Sequence, residues 1–193
     1  MKNVLRLGIL VFGLFLSHSV SAQTYCLPGL IGFGGCFAGD HLDDVTIGSF
    51  TDLNSGCNIG NQLGYSNLTS QTIYAQVGTP TSYTLTSSNI TYFLMWIDFN
   101  ADGDFTDPGE QVLQLNGNSS TETGSFIVPA GTSLQSSRIR IRTQGSFNSL
   151  TDPCAFPYSN ETQDYTISFT AAGGCSAPTG GFASNLLATS ATL

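Results

Sequence analysis

The sequence predicts an all-β fold, an antiparallel β-sandwich of the jelly-roll or Ig type. Only 9% of the 193 residues are charged, and the chain is poor in the lysine, glutamate and alanine that favour helices but rich in β-branched and aromatic residues. Short apolar stretches alternate with clusters of Gly, Asn, Asp, Ser and Pro, and no stretch sustains a helical period. These observations exclude a helix bundle. The 40% apolar content also argues against a disordered chain.

Eight short apolar segments, each bounded by turn-forming residues, are the predicted strands. Eight short strands in a chain of this length are typical of two packed sheets. The segments are Val45–Phe50, Thr72–Gln76, Ser82–Thr86, Tyr92–Phe99, Gln111–Leu115, Ser125–Val128, Arg138–Thr143 and Asp164–Phe169.

Two of these segments predict where the core lies. Tyr92–Phe99 is almost entirely apolar, so we expect a central strand buried on both faces. Arg138–Arg142 alternates arginine with Ile139 and Ile141, so the isoleucines should face the core and the arginines should share the opposite face. We interpret the arginine face as solvated, with cross-strand acids available as partners. An anion or acidic-glycan site is the alternative.

The first 22 residues have the features of a secretory signal peptide. Lys2 and Arg6 precede the apolar run Leu7–Leu16, and the small residues that mark cleavage end at Ala22. We therefore expect export by the general secretory pathway to the cell surface or the medium. The run is about half the ~20 residues that a membrane-spanning helix needs, and no other long apolar stretch follows, so no membrane span is predicted.

The charge that remains after residue 22 excludes several functions. Three arginines, no lysine and thirteen acids leave a formal charge of −10, which attracts divalent cations and argues against binding to nucleic-acid phosphates. His41 is the one remaining histidine, and we interpret it as a surface residue. The chain contains no G-x-S-x-G or H-E-x-x-H motif. We therefore expect no catalytic activity.

Five cysteines in an exported chain predict disulfides. Four of them fall between residues 25 and 170 and allow three pairings. We favour Cys36–Cys57, which closes a local loop, and Cys26–Cys154, which ties the N-terminus to the last part of the domain. Cys175 follows the run Ala-Ala-Gly-Gly, and its expected partner lies beyond residue 193.

The strongest chemical signal is the acidic loop, residues 98–110, which reads DFNADGDFTDPGE. Oxygen ligands at alternating positions before a glycine can converge on one hard cation, as they do in calcium loops. The closing glutamate is thirteenth rather than twelfth, so the loop is not an EF-hand. An ordinary polar turn is the alternative, because these residues also dominate turns. The predicted calcium ligands are Asp98, Asn100, Asp102, Asp104 and Glu110, with Asp107 in reserve.

Several motifs follow the pattern of one known family. The longest is the block Trp96–Phe105, WIDFNADGDF, with Gly109-Glu110 after it. Near the end, the segment N-E-T-Q-D-Y supplies Glu161, Asp164 and Tyr165. With these motifs, residues 25–169 resemble the GEVED domain of secreted, multi-module proteins of the Bacteroidetes type. Weaker matches are Tyr25-Cys26, residues 42–48, Tyr65-Ser66 with Thr69, Val128-Pro129 and Arg138–Arg142.

This chain departs from the family at the name-giving motif, where Gln163 replaces the second glutamate. Any role of that glutamate is therefore lost here. The resemblance implies a β-sandwich accessory module and no known catalysis.

The last residues predict a second, incomplete module. Residues 175–193 read CSAPTGGFASNLLATSATL and resemble the opening of a fibronectin type III module, in which a Pro-containing strand leads to A-T-L-x-W. The expected organisation is a signal peptide (1–22), a GEVED-like β-sandwich (23–170), a linker (171–174) and the start of this module (175–193).

Together these features predict a non-catalytic, calcium-stabilised extracellular module with a structural or adhesive role in a larger protein. Its expected partners are further domains of the same polypeptide and extracellular glycans or surface proteins. Two alternatives are a carbohydrate-binding module that uses the aromatic residues of Phe147–Tyr158, and the accessory domain of a secreted peptidase or glycosidase.

Overall fold

The computed structural model describes residues 24–28, 41–57, 64–114, 119–144, 152–155 and 161–173. These ranges contain eight strands and no helix, so the expected all-β fold is confirmed. The predicted signal peptide and the fibronectin-like segment lie outside them. In the same ranges, no helix is long and apolar enough to cross a membrane.

The longest strand, β4, organises the sheet. The strands are β1 (Leu42–Ile47), β2 (Phe50–Leu53), β3 (Tyr65–Gln76), β4 (Pro80–Ile97), β5 (Gln111–Leu113), β6 (Ser119–Ile127), β7 (Ser136–Gln144) and β8 (Thr162–Thr170). They follow the order β2-β1-β4-β7-β8-β3. The first half of β4 pairs with β1 and β6, and the second half pairs with β5 and β7. The strand therefore runs through both halves of the fold, which is compatible with the predicted sandwich.

The strand pairs are antiparallel except for β3 and β8, which are parallel. The sheet is therefore mixed, whereas the sequence predicted antiparallel pairing throughout. Parallel neighbours need a long connection, and β4 to β7 supply it. The terminal strands of the order, β2 and β3, also contact each other, and the Gln71 Nε2 donates to the Asp52 Oδ2 at 3.2 Å. The sheet thus approaches a closed barrel.

Two predicted strand boundaries are wrong. The predicted strand Val45–Phe50 crosses the turn between β1 and β2, where Gly48 adopts a φ of 58°. The segments Ser82–Thr86 and Tyr92–Phe99 belong to one strand, with a register shift between Thr86 and Thr91 against β6. Tertiary pairing on both sides keeps this polar stretch extended, although its residue types favour a turn.

The core lies where the sequence placed it. Residues 93–97 are buried, as predicted for the central strand, and Ile139 and Ile141 are fully buried on β7. Phe93, Met95, Ile97, Ile139 and Ile141 belong to the main cluster of apolar side chains that fills the fold.

The predicted solvated face of the arginines is wrong. Arg140 and Arg142 are fully buried, and Arg138 is partly exposed. The N-terminal segment, residues 24–28, and residues 152–155 supply carbonyl groups that bind their guanidinium groups. Nearby, Tyr25 packs with Leu94, Trp96 and Phe105 in a second small core. The segments that cover the strand have no periodic pattern, so the alternation of residues along the strand could not predict that the arginines are buried.

One predicted disulfide is confirmed. Cys26 and Cys154 form a bond between residues 128 positions apart in the chain, which ties the N-terminal segment to residues 152–155. Cys57 is also disulfide-bonded, but Cys36, its predicted partner, lies outside the described residues, as does Cys175.

We expect Ile139→Ala to lower the free energy of unfolding by about 2–5 kcal/mol, because it leaves a cavity in the packed core. Ile127→Ala is the matched control, since Ile127 is 55% exposed and should change stability by no more than about 0.5 kcal/mol. Urea denaturation of both variants measures the difference. Equal losses for the two variants would contradict this placement of the core.

Candidate functional site

The acidic loop begins at the end of β4 with a buried carboxylate. Asp98 is fully buried, and its Oδ1 accepts the backbone N–H of Ala101. Its Oδ2 accepts the N–H of Gly103 at 3.1 Å and the hydroxyl of Tyr25 at 2.6 Å. Ala101 and Gly103 both have positive φ, a conformation that costs a residue with a side chain free energy. The three donors to Asp98 hold the loop in this turn.

A second buried carboxylate fixes the other end of the loop. The Oε1 of Glu110 accepts the N–H of Phe99 at 3.0 Å, and its Oε2 accepts the N–H of Asp107 at 3.2 Å. Burial raises the pKa of Glu110 to about 7, and the nearby charges of Asp98 and Asp107 act in the same direction. The carbonyl of Glu110 also accepts the N–H of Ile97 at 2.8 Å. Both ends of the loop are therefore attached to the end of β4.

Between these ends, three exposed carboxylates converge. Asp102, Asp104 and Asp107 each offer an oxygen that lies within 4.8 Å of the others. The side-chain amide nitrogen of Asn100 donates to the Asp102 Oδ2 at 2.9 Å and to the Asp107 Oδ2. Bonds from the N–H and hydroxyl of Thr106 lower the pKa of Asp104. Asn100 thus joins two of the three carboxylates, and Thr106 holds the third.

The donor set fits a hard cation. Carboxylate and amide oxygens are the ligands that calcium prefers, and the side-chain oxygen of Asn100 also accepts the N–H of Asp102 at 3.0 Å. The six predicted ligands therefore divide into two groups. Asp102, Asp104 and Asp107 are exposed and converge with Asn100 beside them, whereas Asp98 and Glu110 are buried and accept backbone N–H groups with both oxygens. Residue spacing alone does not distinguish these two roles.

The buried arginines form the support beneath the loop. The Nε and Nη2 of Arg140 donate to the two oxygens of Asp164, each at 2.7 Å. The same guanidinium binds the carbonyls of Pro153 at 3.0 Å and Cys26 at 2.9 Å. The guanidinium of Arg138 lies 4.0 Å from the ring centroid of Tyr25. Arg140 therefore joins β7 and β8 to both segments of the Cys26–Cys154 bridge.

Arg142 performs a related task by binding backbone carbonyl groups. It donates to the carbonyls of Asp152 and Ala155, each at 2.9 Å. Desolvation lowers its pKa to about 10. The N–H groups of Arg140 and Arg142 thus donate to carbonyls and a carboxylate of the protein. This weakens the alternative of an anion or acidic-glycan site on this face.

The motif N-E-T-Q-D-Y supplies buried side chains that hydrogen-bond to each other and to β1. The sequence analysis did not predict this role. The Oε2 of Glu161 accepts the N–H of Leu42 at 2.8 Å. The amide of Gln163 donates to the Glu161 Oε1 at 2.9 Å and accepts the hydroxyl of Tyr165 at 2.6 Å. A neutral amide can donate on one side and accept on the other, so Gln163 bridges two residues of its own motif. Strand alternation was the available signal, since residues 161, 163 and 165 share one side of β8.

His41 does not form a Ser-His-Asp triad. Its Nε2 lies 3.2 Å from the Asp43 Oδ1 and 3.5 Å from the Ser88 Oγ. A triad uses opposite ring nitrogens for the acid and the nucleophile, whereas both contacts here involve the same nitrogen. The absence of catalysis remains a prediction.

The structure shows the block Trp96–Phe105 at the end of β4 and the pair Asp164-Tyr165 on β8. Residues 92–168 match the family model described as GEVED domain. This part of the chain is therefore similar to a GEVED domain. The match covers the second half of β4, the acidic loop, β5 to β7 and most of β8. No curated protein matches the chain significantly. The fibronectin-like module and the bacterial group stay predictions.

Removing one partner of the buried ion pair should destabilise the fold strongly. Asp164→Ala leaves the guanidinium of Arg140 buried without its carboxylate, so we expect a loss of about 3–5 kcal/mol in unfolding free energy. Glu122→Ala removes a partly exposed acid on β6 and should cost no more than about 0.5 kcal/mol. Chemical denaturation compares them. A loss for Asp164→Ala as small as that of the control would show that the pair is not structural.

The pH dependence of stability should report the buried glutamates. Burial raises the pKa of Glu161 to about 7 from an ordinary value of 4.5, and bonds from Gln163 and Leu42 limit the rise. The folded state therefore binds more protons than the unfolded state between these values, so stability falls as pH rises from 4.5 to 7. A shift of this size corresponds to about 3 kcal/mol, and Glu110 acts in the same direction.

Glu161→Gln should flatten this pH dependence, because the variant has no group to titrate at position 161. Denaturation at several pH values in EDTA measures the slope, with Glu122→Gln as the control that keeps it. An unchanged slope in Glu161→Gln would refute the assignment to Glu161.

Proposed function

We propose that this protein is a non-catalytic, extracellular β-sandwich module whose acidic loop binds calcium. Its role is structural or adhesive, as one part of a secreted or cell-surface protein with several domains. The observation that carries the proposal is the convergence of Asp102, Asp104 and Asp107 within 4.8 Å at an exposed loop.

Electrostatics favours a cation at this position. Three carboxylates at this separation repel one another, and the amide nitrogen of Asn100 offsets this repulsion only with a partial charge. A divalent cation would neutralise the cluster, and the strongly negative chain would attract it. Asp102, Asp104 and Asp107 would supply carboxylate oxygens and Asn100 its amide oxygen. Calcium accepts such an irregular, partly hydrated set more readily than magnesium, which demands stricter geometry.

The structural role is supported by the way in which the loop is built. Asp98 connects the loop to Tyr25 of the N-terminal segment, and that segment is joined to residues 152–155 by the Cys26–Cys154 bridge. A cation on the loop would therefore stiffen the end of the sandwich where these segments meet. The exported location rests on the sequence of the first 22 residues and on the disulfides.

Calcium titration of the apo-protein tests the proposal. We expect calorimetry to show one site, and calcium at a hundredfold excess over its Kd to stabilise the fold by about 2.7 kcal/mol. Asp107→Asn should weaken binding because it removes one carboxylate charge. Glu122→Gln removes a charge far along the chain on β6 and should bind like the wild type. No heat on calcium addition, together with a melting temperature unmoved by EDTA, would refute the proposal.

A further inference from the structure

We propose that the cleft beside the acidic loop is a binding site for a neutral saccharide. This cleft, which we call the loop cleft, lies between the acidic loop, β5 and residues 152–155 and has a volume of about 560 Å³. That volume falls within the range of small-molecule sites, roughly 300–1,000 Å³. The lining residues on which the inference depends are Trp96, Phe105, Asp107, Gln111, Gln114 and Asp152.

The loop cleft presents both donors and acceptors of hydrogen bonds. Asp107 and Asp152 supply carboxylate oxygens, and one oxygen of Asp152 already accepts the N–H of Cys154 at 2.7 Å. Gln111 and Gln114 supply amide groups. A hydroxyl group donates to a carboxylate and accepts from an amide at the same time, so adjacent hydroxyls of a sugar match this lining.

A buried hydrogen-bond donor without a partner also supports a ligand site in the loop cleft. The Nε2 of Gln111 is buried and has no hydrogen-bond partner among the described residues. A buried donor without a partner costs free energy, and the terminal torsion of a glutamine is soft. The amide can therefore turn to a ligand oxygen, which would recover this cost.

The charge of the lining selects the class of ligand. The described residues that line the loop cleft include no lysine, arginine or histidine, and the guanidinium groups of Arg140 and Arg142 behind them are bound to protein carbonyls, so an anionic ligand would meet two carboxylates and no free cation among these residues. An ammonium group would satisfy the carboxylates but would offer Gln111 no acceptor. A neutral polyhydroxyl ligand meets both requirements.

The aromatic residues complete the site as its apolar wall. Trp96 and Phe105 line the loop cleft but are only 1% and 3% exposed. With so little exposed surface they offer small apolar contacts to the C–H groups of a sugar rather than broad stacking faces. We therefore expect weak binding, and a loop cleft that differs from the stacking platform predicted for Phe147–Tyr158, of which the structure describes only residues 152–155.

The loop cleft shares Asp107 with the carboxylate cluster, but the proposed saccharide binding does not depend on bound calcium. Gln111, Gln114 and Asp152 lie outside that cluster. Loss of calcium binding and loss of saccharide binding are consequently separable in one set of variants.

Titration with defined oligosaccharides tests the inference. The probes are the hexasaccharides of cellulose, xylan, laminarin and mannan, with trigalacturonic acid and trilysine as charged comparisons, each at up to 10 mM in calcium and in EDTA. Binding is followed by the fluorescence of Trp96, the chain's one tryptophan, and by calorimetry.

We expect at least one neutral hexasaccharide to bind, and Gln111→Ala to weaken it by about two- to tenfold, the value of one hydrogen bond. Gln114→Ala, at an exposed lining residue, provides a second variant that should fold normally and also weaken binding. Gln135→Ala, an exposed glutamine outside the loop cleft, should bind like the wild type. Thermal melting shows that each variant is folded.

Three results would overturn the inference: no binding by any neutral probe, tighter binding of trigalacturonic acid or trilysine than of every neutral probe, or saccharide binding that both cleft variants retain in full. Asp104 belongs to the carboxylate cluster but does not line the loop cleft, so loss of calcium heat in Asp104→Asn with intact saccharide binding would separate this inference from the proposed function.

Discussion

The arrangement of this domain depends on one buried carboxylate. Asp98 stands at the end of the central strand and receives three hydrogen bonds, from Tyr25, Ala101 and Gly103. A buried carboxylate costs a large solvation free energy unless donors surround it. The turn with two positive φ values and the position of the N-terminal segment both supply those donors. The loop that presents the acidic cluster and the segment that covers the arginines are consequently built around the same group.

On the arginine side of β7, buried polar contacts occupy the sheet face that the sequence predicted to be solvated. Arg140 binds Asp164 through two parallel bonds, a geometry that fixes orientation as well as charge. The remaining donors hold carbonyls of residues 26 and 153, whose segments are also linked by the Cys26–Cys154 disulfide. Covalent and ionic contacts therefore act on the same two segments. This end of the fold therefore combines polar contacts that hold loops in place with the small apolar core around Trp96.

The residue patterns of the sequence predicted the strands more accurately than the roles of the residues in the site. Alternation along β7 placed Ile139 and Ile141 in the core, and the apolar run of β4 predicted its burial. Alternation could not show what covers the arginines, because the covering segments, residues 24–28 and 152–155, lie outside the strand and follow no strand pattern. The polar stretch between Thr86 and Thr91 resembles a turn in isolation, but β4 continues through it and pairs with β6 before and after it. In the acidic loop, spacing identified the oxygen-rich residues but did not separate Asp98 and Glu110 from the three carboxylates that converge.

Hydrogen exchange in the acidic loop tests the central role of Asp98 most directly. In EDTA, the amides of Ala101 and Gly103 should exchange at least about tenfold more slowly than exposed loop amides, because their donors are bound to a buried carboxylate before any cation is present. NMR-detected exchange of the metal-free protein gives both rates. If these two amides exchange as fast as those of an unstructured peptide, Asp98 does not organise the loop, and the account is contradicted.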